Sequence, residues 1–171
     1  EYFIVWDCLE GADEFTQYNL SGRRLDADGT LLGMPTTIAD SSRNEMAPAV
    51  AYSGDGNQFL VVWQGRQPGV AEYGIYGQRV GGDGALLGGE ITISDWEYDQ
   101  VVPRVAFGAA RAEFFVVWED HHWGWGENWD IYGQRVGVDG TVIGGHVGIS
   151  WEGENHRERP DIAYNAEFDR R

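Results

Sequence analysis

Four tryptophans, Trp96, Trp123, Trp125 and Trp151, stand in segments crowded with carboxylates and amides, among them Asp95, Glu97, Asp99, Glu119, Asp120, Glu127, Asn128, Glu152 and Glu154. Indole faces stack on the C–H faces of sugar rings while acidic and amide oxygens hold hydroxyls, so this mixture suits carbohydrate recognition. The competing reading is that the indoles pack the loops down on one another; exposed apolar clusters on proteins often mark interaction sites. Asp120 and Asn128 are the polar groups assigned to ligand contact beside Trp123 and Trp125. His121 and His122 add nitrogen donors, but adjacent histidines point different ways on an extended chain and lack the ligand spacing of a closed zinc site. Asp26-x-Asp28-Gly29 has the start of a calcium loop; its copies read Gly81-x-Asp83-Gly84 and Gly137-x-Asp139-Gly140, so a hairpin turn is the better reading. No metal and no cofactor is expected. No nucleophile–base pair and no phosphate loop is visible. Carboxylate pairs for glycoside chemistry stay open, because acids are abundant and their separations cannot be read from sequence.

These residues hang on a repeat, and periodicity of this length decides the fold. FIVW, LVVW and FVVW end at Trp6, Trp63 and Trp118, 57 and 55 residues apart. GRRL, GQRV and GQRV place Arg24, Arg79 and Arg135 at spacings of 55 and 56, followed each time by Asp-Gly. PAVAY, PRVAF and PDIAY begin at Pro48, Pro103 and Pro160. Each unit reads as four strands: PxVAY first, VVW second, the GQRV segment third, and a fourth such as LLGGEITIS. Phe59 to Trp63 is apolar at every position, which requires burial on both faces of its sheet. The Asp-Gly pairs predict type I′ hairpins, and Pro35 places the fourth strand at an outer edge. The recurring arginines on the third strand are expected to be satisfied between sheets by carboxylates or carbonyls. Ala51, Ala106 and Ala163 suit a crowded narrow end near an axis.

Repeats with a VVW strand, an IYGQRV strand, a DG turn and a PxVAY strand resemble the propeller repeats of bacterial secreted or surface proteins. The resemblance covers the whole chain, and it implies an extracellular or cell-surface location and an all-β propeller of four-stranded antiparallel blades. It carries over no catalytic residue. The units fall at about 1–47, 48–102 and 103–159, with 160–171 supplying the first strand of the 1–47 blade of a partner chain. Three blades are too few for a ring, so two chains are expected to close one of six as a homodimer. In such a ring the short turns share one end, and the variable segments 7–17, 64–72, 119–128, 39–47, 94–102 and 150–159 share the other, where ligands bind. Arg104 and Asp161 follow the first-strand prolines where the first copy has Ala49, and are expected to line the channel mouth on that loop side.

The 171 residues carry 12 basic and 28 acidic side chains, a net charge of −16, which disfavours nucleic-acid and membrane-surface partners. No apolar run is long enough for a membrane helix. Cys8 is alone, which excludes an intrachain disulfide, and is read as a small buried hydrophobe. The chain starts at Glu1 without Met or a signal-peptide pattern, as a processed product or an excerpt of a longer array does. The leading expectation is a non-catalytic, lectin-like module that binds a glycan or another ligand through its tryptophan-rich loop face. The alternatives are a structural repeat module and a polysaccharide hydrolase or lyase.

Overall fold

The computed structural model of the chain describes residues 1–10, 17–123, 127–150 and 156–167. Among them are eleven β-strands and no helix: β1 (Tyr2–Glu10), β2 (Gln17–Leu25), β3 (Leu31–Ala39), β4 (Asn44–Ser53), β5 (Gln58–Arg66), β6 (Gly74–Gly81), β7 (Leu86–Ser94), β8 (Gln100–Gly108), β9 (Glu113–Trp123), β10 (Glu127–Gly137) and β11 (Val142–Ser150). They form three antiparallel sheets, β1-β2-β3, β4-β5-β6-β7 and β8-β9-β10-β11, each a meander. The repeat units map onto these sheets in register, with β4 and β8 as the PxVAY strands and β1, β5 and β9 as the VVW strands.

The middle sheet explains the uninterrupted apolar run. Successive side chains on a strand point to opposite faces, and β5 uses both. Val61 and Trp63 face a cluster with Phe3, Leu20 and Ile38 of the first sheet. Leu60 and Val62 face another with Phe114, Val116 and Trp118 of the third. Two cores are thus stacked through one sheet, and the VVW tryptophans Trp63 and Trp118 are fully buried in them. Pro35 lies in β3, an outer strand as expected.

Polar bonds repeat along with the apolar ones. Arg24 Nη1 donates to Gly82 O at 3.1 Å and Arg79 Nη1 to Val138 O at 2.9 Å, each reaching the hairpin of the next sheet. Arg24 and Arg79 are therefore clamps between sheets, whereas Arg135 Nη1 donates to Glu113 Oε2 of its own sheet at 3.5 Å. Within each sheet the residue before that arginine holds a bulge in the fourth strand: Gln78 donates to Leu87 O and Gly88 O, Gln134 to Ile143 O and Gly144 O, and Arg23 to Gly33 O.

Two local expectations are corrected. The Asp-Gly hairpins are not type I′, which needs positive φ at both central residues. Only Gly29, Gly84 and Gly140 are left-handed, with φ of 82°, 87° and 89°. Their amides close turns onto Asp26 O, Gly81 O and Gly137 O, a type I turn followed by a glycine bulge. A carboxylate locks each: Asp26, Asp83 and Asp139 accept from the amides of Thr30, Ala85 and Thr141 at 2.8, 3.0 and 2.9 Å. These bonds hold the Asp139 carboxyl below the usual range. The segment 119–128, read as loop, is also largely strand, because β9 and β10 stay paired as far as Trp123 and Glu127. His121 and Trp129, opposite each other there, stack at 4.6 Å and carry the hairpin outward.

Glu45 and Gln100 occupy equivalent places at the start of β4 and β8, and both are fully buried. Gln100 Nε2 donates to Tyr98 O at 3.1 Å. Glu45 Oε1 accepts from Ser41 Oγ at 2.8 Å, but Oε2 has no partner among the described residues. Burial pushes the Glu45 carboxyl up, against the Ser41 hydrogen bond.

Truncating Trp63 or Trp118 to Ala is expected to cost about 3–5 kcal/mol in denaturant unfolding, the usual scale for a large aromatic removed from a packed interior. Glu45→Gln is expected to stabilise by about 1 kcal/mol at neutral pH, since the amide can repeat the bond of Gln100 and ends the burial of an unpartnered oxygen. A carboxyl whose folded pKa is raised supports the fold while protonated and loses that support as pH rises through the folded value. Unfolding curves across pH should therefore show the gain shrinking as pH falls into the carboxylate range.

Candidate functional site

The loop-side ends of the PxVAY strands are built by one recurring contact. The residue before each proline is left-handed, with φ of 54° at Ala47, 53° at Val102 and 59° at Arg159. Proline favours an extended predecessor, so the left-handed φ is a departure from that preference, and at Ala47 and Val102 it coincides with a register shift against β5 and β9. The freed amide is captured by the side chain that follows the VVW tryptophan of the preceding sheet: Ala47 N donates to Asp7 Oδ2 at 3.0 Å, Val102 N to Gln64 Oε1 at 2.9 Å and Arg159 N to Glu119 Oε1 at 2.6 Å. A second bond also recurs, since Gln100 N donates to Tyr73 O and Arg157 N to Trp129 O at 2.9 and 2.8 Å. Residues 156–164 thus approach the third sheet as β8 approaches the second.

Between β8 and this segment lies a hollow of about 610 Å³, lined by Arg104, Glu119, Trp129, Glu158, Arg159 and Asp161 among others. Its floor is the Glu119 carboxylate, nearly buried and committed to the Arg159 amide. Glu158 and Asp161 are exposed at its rim. Asp161 Oδ1 accepts from Ile162 N at 2.9 Å and Arg104 Nη1 donates to Pro103 O at 2.8 Å, bonds that orient both side chains. The hollow joins acids, guanidinium groups and an indole, which can hold a polyhydroxylated chain by charge-assisted hydrogen bonds and ring stacking.

The sequence-derived candidates separate into groups. Arg104 and Asp161 come together in this hollow on the loop side. Asp120 is 1% exposed and its Oδ2 accepts from Trp118 Nε1 at 3.1 Å, so it sits inside the sheet beside the core indole, not on an open loop. Trp96 is 47% exposed, with its ring 4.1 Å from His146 and 5.9 Å from Tyr132, and it belongs to a different groove, with Tyr73, Tyr76 and Glu97. Burial pushes the Tyr132 hydroxyl up, helped by the charges of Asp120 and Asp130. Trp123 and Asn128 lie on β9 and β10, their backbones opposite Glu127 and His122. Trp125 and Trp151 lie outside the described residues. Glu158, Glu119 and Trp129 were not among the candidates for this hollow. The signal for Glu119 was its place after Trp118, shared with Asp7 and Gln64, which all carry an acceptor.

No family model matches the chain, and no curated protein matches it. Among solved structures it is similar to the endo-arabinase from Bacteroides thetaiotaomicron VPI-5482, at 11% identity with a TM-score of 0.54, over 86% of this chain and 61% of that one. It is also similar to the endo-1,5-alpha-L-arabinanase from Thermotoga petrophila RKU-1, at 14% identity and a TM-score of 0.48, over 92% of this chain and 41% of that one. The chain thus spans about three fifths of the first of these structures. The likeness is one of fold, and that fold is of the all-β propeller type. The expectation of a non-catalytic, lectin-like module is corrected by this finding: the neighbour with a TM-score of 0.54 is an endo-arabinase, which agrees better with the alternative reading of a polysaccharide hydrolase.

Proposed function

We propose that this chain is part of a polysaccharide-hydrolysing β-propeller, its three sheets serving as consecutive blades, with the hollow at Arg104, Glu158 and Asp161 as the substrate cleft. The observation that carries the reading is the meeting of two exposed carboxylates with two arginines and an indole at the loop-side end of the PxVAY strands. The fold likeness to an endo-arabinase supports it. Hydrolysis of a glycosidic bond needs one carboxylic acid to protonate the leaving oxygen and one carboxylate to activate water or attack the sugar. Glu119 is unsuited to either role, because its carboxylate is fastened to the Arg159 amide. Glu158 and Asp161 supply the pair. Asp161, oriented by Ile162 N, serves as the base or nucleophile, and Glu158, exposed like Asp161 at the rim, as the acid. Arg104 holds substrate hydroxyls, and Trp129 offers a ring face. The extracellular or cell-surface location that the repeat resemblance implies is compatible with a polysaccharide substrate.

Reducing-end release should be measured on arabinan, with xylan and galactan as comparisons. Asp161→Asn and Glu158→Gln are each expected to lower kcat by about 10²–10⁴-fold, the scale of lost acid–base catalysis. Both residues are exposed, so circular dichroism and melting should stay as in the wild type. Full activity in either variant, or no release from any polysaccharide, would overturn the assignment.

A further inference from the structure

A groove of about 490 Å³ lies between the β5–β6 loop and the segment after β7, and it shares no lining residue with the hollow at Asp161. Gln67 and Val70 line it from a Pro68-Gly69 turn of type II, closed by Val70 N donating to Gln67 O at 3.1 Å, with Gly69 left-handed at φ 80°. Asp95, Trp96 and Glu97, all exposed, line it from the end of β7. Tyr76, 6% exposed, lies close over Gly74, where a Cβ would fall 3.2 Å from the tyrosine hydroxyl. The Trp96 indole is held and yet open. Its ring packs 4.1 Å from His146, which in turn stands edge-on to the buried Trp118 at 5.2 Å and brings Nε2 to 3.4 Å from Ile93 O. Contacts with the core thus anchor the side chain, while nearly half of the residue is exposed. The repeat does not require these rings, since the first copy has Ser21 and Ser41 where the second has Tyr76 and Trp96.

We propose that this groove is a second holding site for polysaccharide, which seats a sugar ring of an uncharged chain on the Trp96 indole, apart from the cleft at Asp161. The inference rests on reading the chain as part of a polysaccharide hydrolase, to whose cleft it adds an anchoring surface. Charge selects the ligand. Glu72, Asp95 and Glu97 are exposed carboxylates lining the groove with the indole. They repel uronate chains, whereas neutral sugar hydroxyls donate to them in charge-assisted hydrogen bonds. A cationic ligand is the weaker fit. Tyr73 and Tyr76 each already carry a guanidinium group on a ring face, Arg66 at 4.9 Å and Arg43 at 4.3 Å, so their cation–π attraction is satisfied within the chain. Burial pushes the Tyr76 hydroxyl up, which keeps it a protonated donor at neutral pH. An indole already fixed by His146 loses little freedom when a sugar stacks on it, and preorganisation of this kind favours binding.

Binding of arabinan, xylan and galactan should be measured by calorimetry and tryptophan fluorescence, with polygalacturonate and oligolysine as comparisons. At least one neutral chain is expected to bind, at least about 10-fold more tightly than polygalacturonate, and Trp96→Ala should weaken that binding about 10-fold. Trp96→Phe keeps a ring against His146, so it should melt as the wild type does while losing the part of the fluorescence change that comes from this indole. Asp95→Asn combined with Glu97→Gln should narrow the gap to polygalacturonate. The site is overturned if no neutral chain binds, if polygalacturonate binds as tightly, or if both Trp96 variants keep wild-type affinity. Binding of oligolysine alone, lost in Trp96→Ala, would assign the groove to a basic peptide instead. Reducing-end release depends on Glu158 and Asp161, outside this groove, so the holding site and the hydrolase reading can fail separately.

Discussion

The apolar run of β5 has to bury both faces of its sheet at once, and most of the architecture follows from that demand. At about 25 cal/mol for each Å² of apolar surface removed from water, leaving either face to solvent would forfeit a large part of the stability. One face of the middle sheet meets Phe3, Leu20 and Ile38, and the other meets Phe114, Val116 and Trp118. Both interfaces use the same repeat positions, so whatever satisfies one sheet also prescribes its neighbours. A unit built this way cannot stand alone. It needs a copy of itself on each side, which is why repeat proteins grow by addition and need a device at their ends.

Polar contacts determine how adjacent sheets are seated. The acceptor after each VVW tryptophan takes the amide that the pre-proline residue turns out of its strand, and Arg24 and Arg79 grip the hairpin of the next sheet. Both bonds pair polar groups that the junction withdraws from water, which removes the cost of leaving either unsatisfied. The chemistry of the candidate cleft is a by-product of this seating. Glu119 is withdrawn from solvent by its structural bond, while the chain that donates to it brings Glu158 and Asp161 to the rim. A repeat position becomes available for chemistry where the copies diverge: Ala49 is followed in the series by Arg104 and then by Asp161.

Much of this was legible in the residues. The spacing of the VVW tryptophans, the arginines and the prolines reported four-stranded units and their register, because each motif marks a fixed place on a strand. Two-face burial was readable from the absence of alternation at Phe59 to Trp63. The turn type was misread because Asp-Gly also fits a type I turn with a glycine bulge, and the carboxylates of Asp26, Asp83 and Asp139 favour that form by accepting the amide that follows. Asp120 was placed on a loop because its segment differs from the other copies. Cross-strand pairing of β9 with β10 extends the sheet through it, and the Trp118 indole draws its carboxylate inward.

The sequence by itself determined the all-β class, the repeat and the strand order within it, and from it Arg104 and Asp161 were expected on the loop side. These depend on local periodicity and on motif spacing, which a single chain displays in full. Tertiary structure alone decided that Glu158 and Trp129 join them, that Glu119 is tied to a backbone amide, and that Trp96 faces another groove. Those facts depend on how one sheet leans on the next, and the angle is set by side chains about 55 residues apart in the chain. The likeness in fold to an endo-arabinase has the same origin, since it lies in the arrangement of sheets and not in residue identities, of which 11% are shared.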